Sequence, residues 1–279
     1  MAIRAAFSWP LMGILLGPRT HLGGVSAHLA QLNSALQARG YDTRVVSGSE
    51  FAVYAAATGT TLIERLHGSM DGSRHYMEQY PRPDVFVAHD VLAALAALQA
   101  GWKPLVLTVH GYLAREYVAS GAVREGSAEW NELLAWERDA YAQSDDIVAV
   151  GRKLQGCVEE LSGRSVKHLP NAIDPRPFAS LPPVPMSPPF VILFAGRLTP
   201  TKGVHVLLQA AGLLETEHPE LPVWWLIAGD GPQYENLKKQ AESFRRVRLL
   251  GSLPHDEIPE AYARAFVVAV PSLPVAGVE

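Results

Sequence analysis

Phe194-Ala195-Gly196-Arg197-Leu198-Thr199-Pro200-Thr201-Lys202-Gly203 follows the apolar run Phe190-Val191-Ile192-Leu193 and precedes a helical pattern over residues 203–216. A continuous apolar run, a glycine turn and then a helix is how a parallel strand covered on both faces passes into its crossover. Ligands of open α/β sheets gather at the carboxyl ends of such strands. Arg197 can fork onto two phosphate oxygens, Lys202 adds a point charge, and the following helix offers its N-terminus. Together they read as a clamp for a diphosphate; the plain alternative is two solvated loop charges. The stretch is not a Walker A loop, because Lys202 is neither preceded by glycine nor followed by Ser or Thr.

The same alternation of apolar run, turn and helical stretch continues in both directions. Strands are predicted at residues 2–8, 43–47, 84–89, 104–109, 146–150, 190–195, 223–228, 247–250 and 266–270. Helices are predicted at 24–39, 91–100, 126–143, 151–162, 203–216, 232–245 and 255–264, the first ending at Gly40. The fold class is therefore α/β with doubly wound parallel sheets. Residues 48–82 carry no readable motif, and within them residues 48–61 are expected to be mobile. Between Asp174 and Phe190, seven of fifteen residues are proline, which argues against helix or central strand and for a stiff linker. The expected domains are 1–173 and 190–279, joined by 174–189.

The 279 residues are 48% hydrophobic and 19% charged, the composition of a globular chain, and allow two domains. A net charge of −4 provides no overall basic field to hold nucleic acid, so an anion must be met by locally placed cations and N–H groups. Cys157 is the only cysteine, which excludes an intrachain disulfide framework and a cysteine-rich zinc site. It lies at helical spacing with Leu154 and Leu161, as a small core residue would. The apolar segment Ala5–Gly17 resembles a signal-peptide core but is too short to span a bilayer, contains Pro10 and lacks a cleavage pattern. A cytoplasmic location is the expectation. Lys238, Lys239, Arg245, Arg246 and Arg248 read as a solvated helix face, with peripheral contact to an anionic membrane as the alternative.

Other segments sit where ligands bind. Leu22-Gly23-Gly24-Val25 opens the first helix, where Gly23 and Gly24 let backbone N–H groups approach an anion; a simple turn is the alternative. Gly229-Asp230-Gly231-Pro232 ends another strand, but Tyr234 occupies the third-glycine place of a dinucleotide fingerprint. Asp230 either binds ligand or caps the next helix. Thr108-Val109-His110-Gly111-Tyr112 puts His110 just past a buried strand, where it is either a hydrogen-bonding ligand group or a structural histidine. His89-Asp90 sits similarly, with Asp90 favoured as an N-cap. No HExxH spacing occurs among the ten histidines, and no GxSxG elbow is present.

In order, HLGGV, TVHG, HLPNAID, AGRLTPTKG, IAGDGP, VRLLGSLP and VPSL resemble the family-4 retaining glycosyltransferases of the GT-B fold. The resemblance covers nearly the whole chain. It implies two Rossmann-like domains facing a cleft, the second incomplete here, with a nucleotide-diphosphate sugar as donor substrate, no separate cofactor and no metal. By that resemblance Arg197 and Lys202 stabilise the leaving diphosphate, together with Gly23, Gly24, Gly196, Gly229, Asp230 and Gly231. The backbone near Gly251, Ser252 and Leu253 meets the nucleobase, and His110 contacts the transferring sugar. Asp90, Tyr112 and Asn171 fall on the acceptor side, for a carbohydrate, lipid or small-molecule hydroxyl. Ala172 replaces the glycine that the family pairs with Asn171.

The family also places two glutamates, with seven residues between them, after the Pro-Ser strand. Glu279 is either the first of them, behind an insertion Pro274–Val278, or a terminal surface residue; the second is not in this sequence. Weak turnover and a tendency to associate through apolar surface are therefore expected of the chain. The alternatives to a transferase are a non-catalytic nucleotide-sugar or partner-binding module and a GT-B-fold sugar-nucleotide epimerase.

Overall fold

The computed structural model describes residues 11–15, 24–47, 61–184, 186–254 and 256–273. The chain forms two compact units that meet in sequence at Ile173 and Asp174. Each is built on its own parallel sheet, as the alternating apolar runs require.

In the first unit, β1 (Leu11–Leu15), β2 (Thr43–Ser47), β3 (Phe86–Ala88), β4 (Leu105–Val109), β5 (Asp146–Ala149) and β6 (Lys167–His168) lie in the order β2-β1-β3-β4-β5-β6. The order reverses between β1 and β3, which makes the carboxyl ends of those strands the topological switch point. Phe86, Ala88, Leu105, Leu107, Ile147 and Ala149 form the buried floor. Helix α1 (Gly24–Gln37) follows β1, α2 (Leu62–Met77) precedes β3, and α3 (Val91–Gln99) follows it. Every residue of α3 from Val91 to Ala97 is buried, which its alanines permit. The remaining helices are α4 (Leu113–Ala119), α5 (Ala128–Gln143) and α6 (Arg152–Ser162). The Arg164 guanidinium donates to the carbonyls of Tyr141, Ala142, Ser144 and Asp145, satisfying orphan acceptors where α5 ends.

The second unit carries α7 (Arg176–Ala179), β7 (Phe190–Ala195), α8 (Val204–Glu217), β8 (Val223–Ala228), α9 (Tyr234–Ala241), β9 (Val247–Gly251), α10 (Ile258–Ala263) and β10 (Val267–Val268). Its strand order, β10-β7-β8-β9, puts the switch point between β7 and β10. Its core gathers Phe194, Leu198, Val204, Leu208, Trp225, Ile227 and Leu237.

Several expectations are revised. The first described strand is β1 at Leu11–Leu15, inside the apolar segment that resembled a leader; residues 2–8 and 48–60 lie outside the described residues. Residues 61–77 are not motifless. Thr61 and Glu64 form a reciprocal capping box, each side chain bonded to the other's backbone N–H, and launch the 16-residue α2. The proline-rich stretch is interrupted by the helical turn α7, because Pro175 and Pro177 occupy entry positions where a backbone N–H has no intrahelical partner. Phe178 of this turn lies edge-on to Tyr262, with 5.9 Å between ring centroids. Helix α4 and the short β6 were not anticipated.

Candidate functional site

In the second unit the loops leaving all four strands are bonded into one surface. The Leu198 N–H donates to the Asp230 carbonyl at 2.9 Å, and the Gln233 N–H returns to the Leu198 carbonyl at 3.1 Å. The Gly229 N–H donates to the Gly251 carbonyl at 2.7 Å, and the Leu273 N–H to the Thr201 carbonyl at 2.8 Å. Closeness makes two glycines obligatory. A Cβ on Gly229 would stand 1.8 Å from the Gly196 carbonyl oxygen, and one on Gly203, at φ +66°, would stand 2.1 Å from that of Pro271. Gly231 is similarly confined by the Leu198 backbone.

This lattice sets which way the side chains go. Leu198 is fully buried and pins the loop to the core, while Arg197 before it and Lys202 after it are exposed. Lys202 ends a 3-10 turn over Pro200–Lys202. Among the described residues, neither cation takes part in an ion pair or side-chain hydrogen bond. Both stand at the β7–β10 switch point with unspent charge, the arrangement an anionic ligand needs. The Asp230 side chain accepts from the Gly231 N–H at 2.7 Å and so shapes its own turn; α9 begins four residues later, without a side-chain cap. Ser252 is exposed, and Leu253 packs against Leu193, Ala228 and Ala265.

The first unit gathers three histidines at its own switch point: His28 on α1, His89 after β3 and His110 after β4. Nδ1 of His89 and Nε2 of His110 are 3.0 Å apart, with the rings stacked at 5.3 Å. His28 faces both, its ring centroid 5.7 Å from His89 and 5.8 Å from His110. Burial, with neighbouring imidazoles adding to it, pushes His89 down to about 3 and His110 to about 4, and burial also lowers His28. All three are neutral at physiological pH. Nδ1 of His28, Nε2 of His89 and Nδ1 of His110 are buried without a hydrogen-bond partner among the described residues.

Beneath the His110 loop, the Glu137 carboxylate accepts from the Leu113 N–H at 2.8 Å and from the Tyr141 hydroxyl at 3.3 Å. It thereby holds the start of α4 and the loop that carries His110. Burial pushes its carboxyl up to about 7 against those hydrogen bonds. Tyr112 is buried as the N-cap residue of α4, its phenol raised by burial and by Cys157, which packs against the core. Asp90 caps α3, accepting from the Ala93 N–H at 2.7 Å. Asn171 is exposed between β6 and α7. Gly24 opens α1, whereas Gly23 and Glu279 lie outside the described residues.

Sequence reasoning missed His28 and the His89–His110 contact. The available signal was His89 and His110, each directly after an apolar run, with His28 inside the first helix; only the strand order converts them into neighbours. Glu137 was missed because one carboxylate within a helical pattern reads as surface. Arg246 donates to the Leu221 carbonyl, and Arg248 lies over Trp224 at 5.0 Å, so part of the basic cluster is already engaged. Among the described residues, no cluster of three or more His, Cys, Asp or Glu side chains could hold a metal ion, and no helix is long and apolar enough to cross a membrane.

Known proteins share this architecture. Glycogen synthase of Mycobacterium tuberculosis is 26% identical over 303 residues, covering 91% of this chain and 70% of that protein. WaaG, a glycosyltransferase involved in lipopolysaccharide biosynthesis, superposes with a TM-score of 0.70 at 15% identity, over 94% of this chain and 75% of its own. The catalytic domain of starch synthase IV from Arabidopsis thaliana bound to ADP and acarbose gives 0.61 at 14% identity, over 95% and 78%. The model of glycosyl transferases group 1 matches residues 183–276. That of Glycosyltransferase Family 4 matches residues 22–176, more than half of the chain, and the chain therefore belongs to that family, with the GT-B fold.

Proposed function

We propose that this chain transfers a hexose-type glycosyl group from a nucleotide-diphosphate donor to an acceptor hydroxyl, with retention at the anomeric carbon. The observation that carries this reading is the pair Arg197 and Lys202, two exposed cations without a protein counter-charge on the interlocked loops of the second unit. Cleavage of the bond between an anomeric carbon and a diphosphate builds negative charge on the departing oxygens. Cations already held in place stabilise that charge without reorganising. The close-packed loops around Gly203 and Gly229 fix the backbone from which both side chains extend. The ADP bound to starch synthase IV supports a nucleotide ligand for this fold.

In this reading no metal is needed, because the protein's own cations meet the diphosphate. His110 reads the transferring sugar as a neutral hydrogen-bonding group. The donor phosphate assists removal of the acceptor proton, so no dedicated base is assigned. Calorimetric titration with UDP, GDP and ADP tests the reading. One of the three is expected to bind, and Arg197→Ala with Lys202→Ala to weaken it about 100-fold, the size of two lost charge-assisted contacts. Absence of binding by all three, or affinity unchanged in the double variant, overturns it.

A further inference from the structure

We infer that the stretch leaving β10, Pro271–Leu273, is a positioning element for Lys202 and not for Arg197, so that the two cations of the second unit are set by different neighbours. This deepens the transferase reading and rests on it for the identity of the anion they meet. The packing itself is independent of any ligand.

The loop that carries both cations changes partners along its length. At its start the neighbour is the loop leaving β8. The Gly196 N–H donates to the Ala228 carbonyl at 3.0 Å, and Leu198 gives one backbone bond to Asp230 and takes one from Gln233. A Cβ on Gly231 would stand 2.7 Å from the Leu198 carbonyl oxygen. At its end the neighbour is the exit from β10. The Leu273 N–H donates to the Thr201 carbonyl at 2.8 Å, and Gly203, at φ +66°, lies close enough to Pro271 that a Cβ would stand 2.1 Å from its carbonyl oxygen. Among the described residues, no backbone hydrogen bond ties Thr201–Gly203 to the β8 loop, or Arg197 and Leu198 to the β10 exit. The backbone on either side of Lys202 is thus held from β10, and the backbone beside Arg197 from β8.

The two anchors differ in strength. β8 pairs with β7 over six residue pairs, Phe190–Ala195 against Val223–Ala228, and Leu198 is sealed in the core. β10 pairs over two, Val267 with Ile192 and Val268 with Leu193, and Val267, Val268, Val270 and Leu273 are exposed. A segment with a shorter ladder and fewer buried contacts opens at a lower free energy. Arg197 therefore extends from the firmer support and Lys202 from the more adjustable one, so the spacing of the two cations follows the seating of the β10 exit.

A double-mutant cycle on nucleotide affinity, read by calorimetry, tests the inference. Gly203→Ala, Lys202→Ala and Arg197→Ala are each expected to weaken binding about tenfold. Added to Lys202→Ala, Gly203→Ala is expected to cost less than about twofold more; added to Arg197→Ala, it costs its full tenfold. A full loss in both backgrounds would assign Gly203 a merely structural role and overturn the inference, as would affinity unaltered by Gly203→Ala. Leu273→Pro breaks the contact from its other side, touches no residue of the cation loop, and is expected to give the same pattern. Two readouts need no ligand. In Leu273→Pro the backbone amide signals of Thr201 and Lys202 are expected to move while those of Arg197 and Leu198 stay; movement of both pairs, or of neither, overturns the inference. In the wild type the Leu273 N–H is expected to exchange at least about tenfold faster than the Leu198 N–H. Equal or slower exchange at Leu273 contradicts the inference even where a variant fails to fold. Failure of every nucleotide to bind would instead sink the transferase reading, with the ligand-free measurements still deciding what holds Lys202.

Discussion

The two switch points of this molecule solve opposite problems. In the first unit, polar groups are buried, neutral and short of partners: His28, His89 and His110 crowd together and burial strips their charge. In the second, the side chains of Arg197 and Lys202 are exposed, and burial falls on Leu198 and Gly203 of the loop that carries them. A cation kept in water loses no solvation energy while it waits for an anion, whereas a desolvated neutral donor discriminates among ligands that are themselves uncharged. One parallel-sheet plan thus carries a buried, neutral cluster at one switch point and exposed cations at the other, according to what its strand-end loops bury.

The comparison breaks most completely at Gly229. A methyl group there cannot fit 1.8 Å from the Gly196 carbonyl without separating the two loops. Gly229→Ala is expected to destabilise the second unit by ~3 kcal/mol or more, leaving β3 and β4 of the first unit as protected as before in hydrogen exchange. Equal loss of protection in both units would contradict the independence of the two cores.

Acid sharpens it next. His89 and His110 have folded pKa values below the unfolded one, so the stability they confer is present above about pH 6.5 and is lost as pH falls toward about 4. Glu137 acts in the opposite sense: its raised folded pKa favours the folded state as pH falls from about 7 to about 4.5. His28, lowered by burial in the same sense, adds to the losses at His89 and His110, and against the single gain at Glu137 the first unit weakens through this window. Glu137→Gln removes the opposing contribution and is expected to steepen the loss by about 1.4 kcal/mol per pH unit between pH 6.5 and 4.5. Hydrogen exchange at β3 and β4 amides measures it; a slope equal to that of the wild type refutes the assignment.

The smallest effect is at Asp90. Its carboxylate caps α3, so Asp90→Ala is expected to cost about 1 kcal/mol in thermal unfolding while nucleotide affinity stays unchanged. A larger loss of nucleotide affinity than of stability would move Asp90 from cap to ligand.

Legibility in the sequence follows the range of the forces involved. β2, β7 and β8 fall on the predicted residues 43–47, 190–195 and 223–228, because continuous apolar runs between turns are a local signal. Thr61 and Glu64 were an equally local signal, overlooked because no clear apolar periodicity followed them. β1 was hidden by its likeness to a leader, since an apolar run carries no mark of which environment will bury it. Arg197 and Lys202 could be picked out because exposed charge beside a strand end is unusual on its own terms. The His89–His110 contact could not, since the pair is 21 positions apart with a helix between and only the pairing of β3 with β4 brings them side by side. Glu137 depends in the same way on α5 packing beneath α4.

The bond from Leu273 to Thr201, with Pro271 pressed against Gly203, gives the short turn before α8 a load-sharing role. It splints the first strand of the second unit to the last, so the stretch leaving β10 and the lysine of that turn behave as one stiff body. A tilt imposed on that stretch would be delivered to Lys202 as a displacement of its ammonium, much as a lever moves its tip.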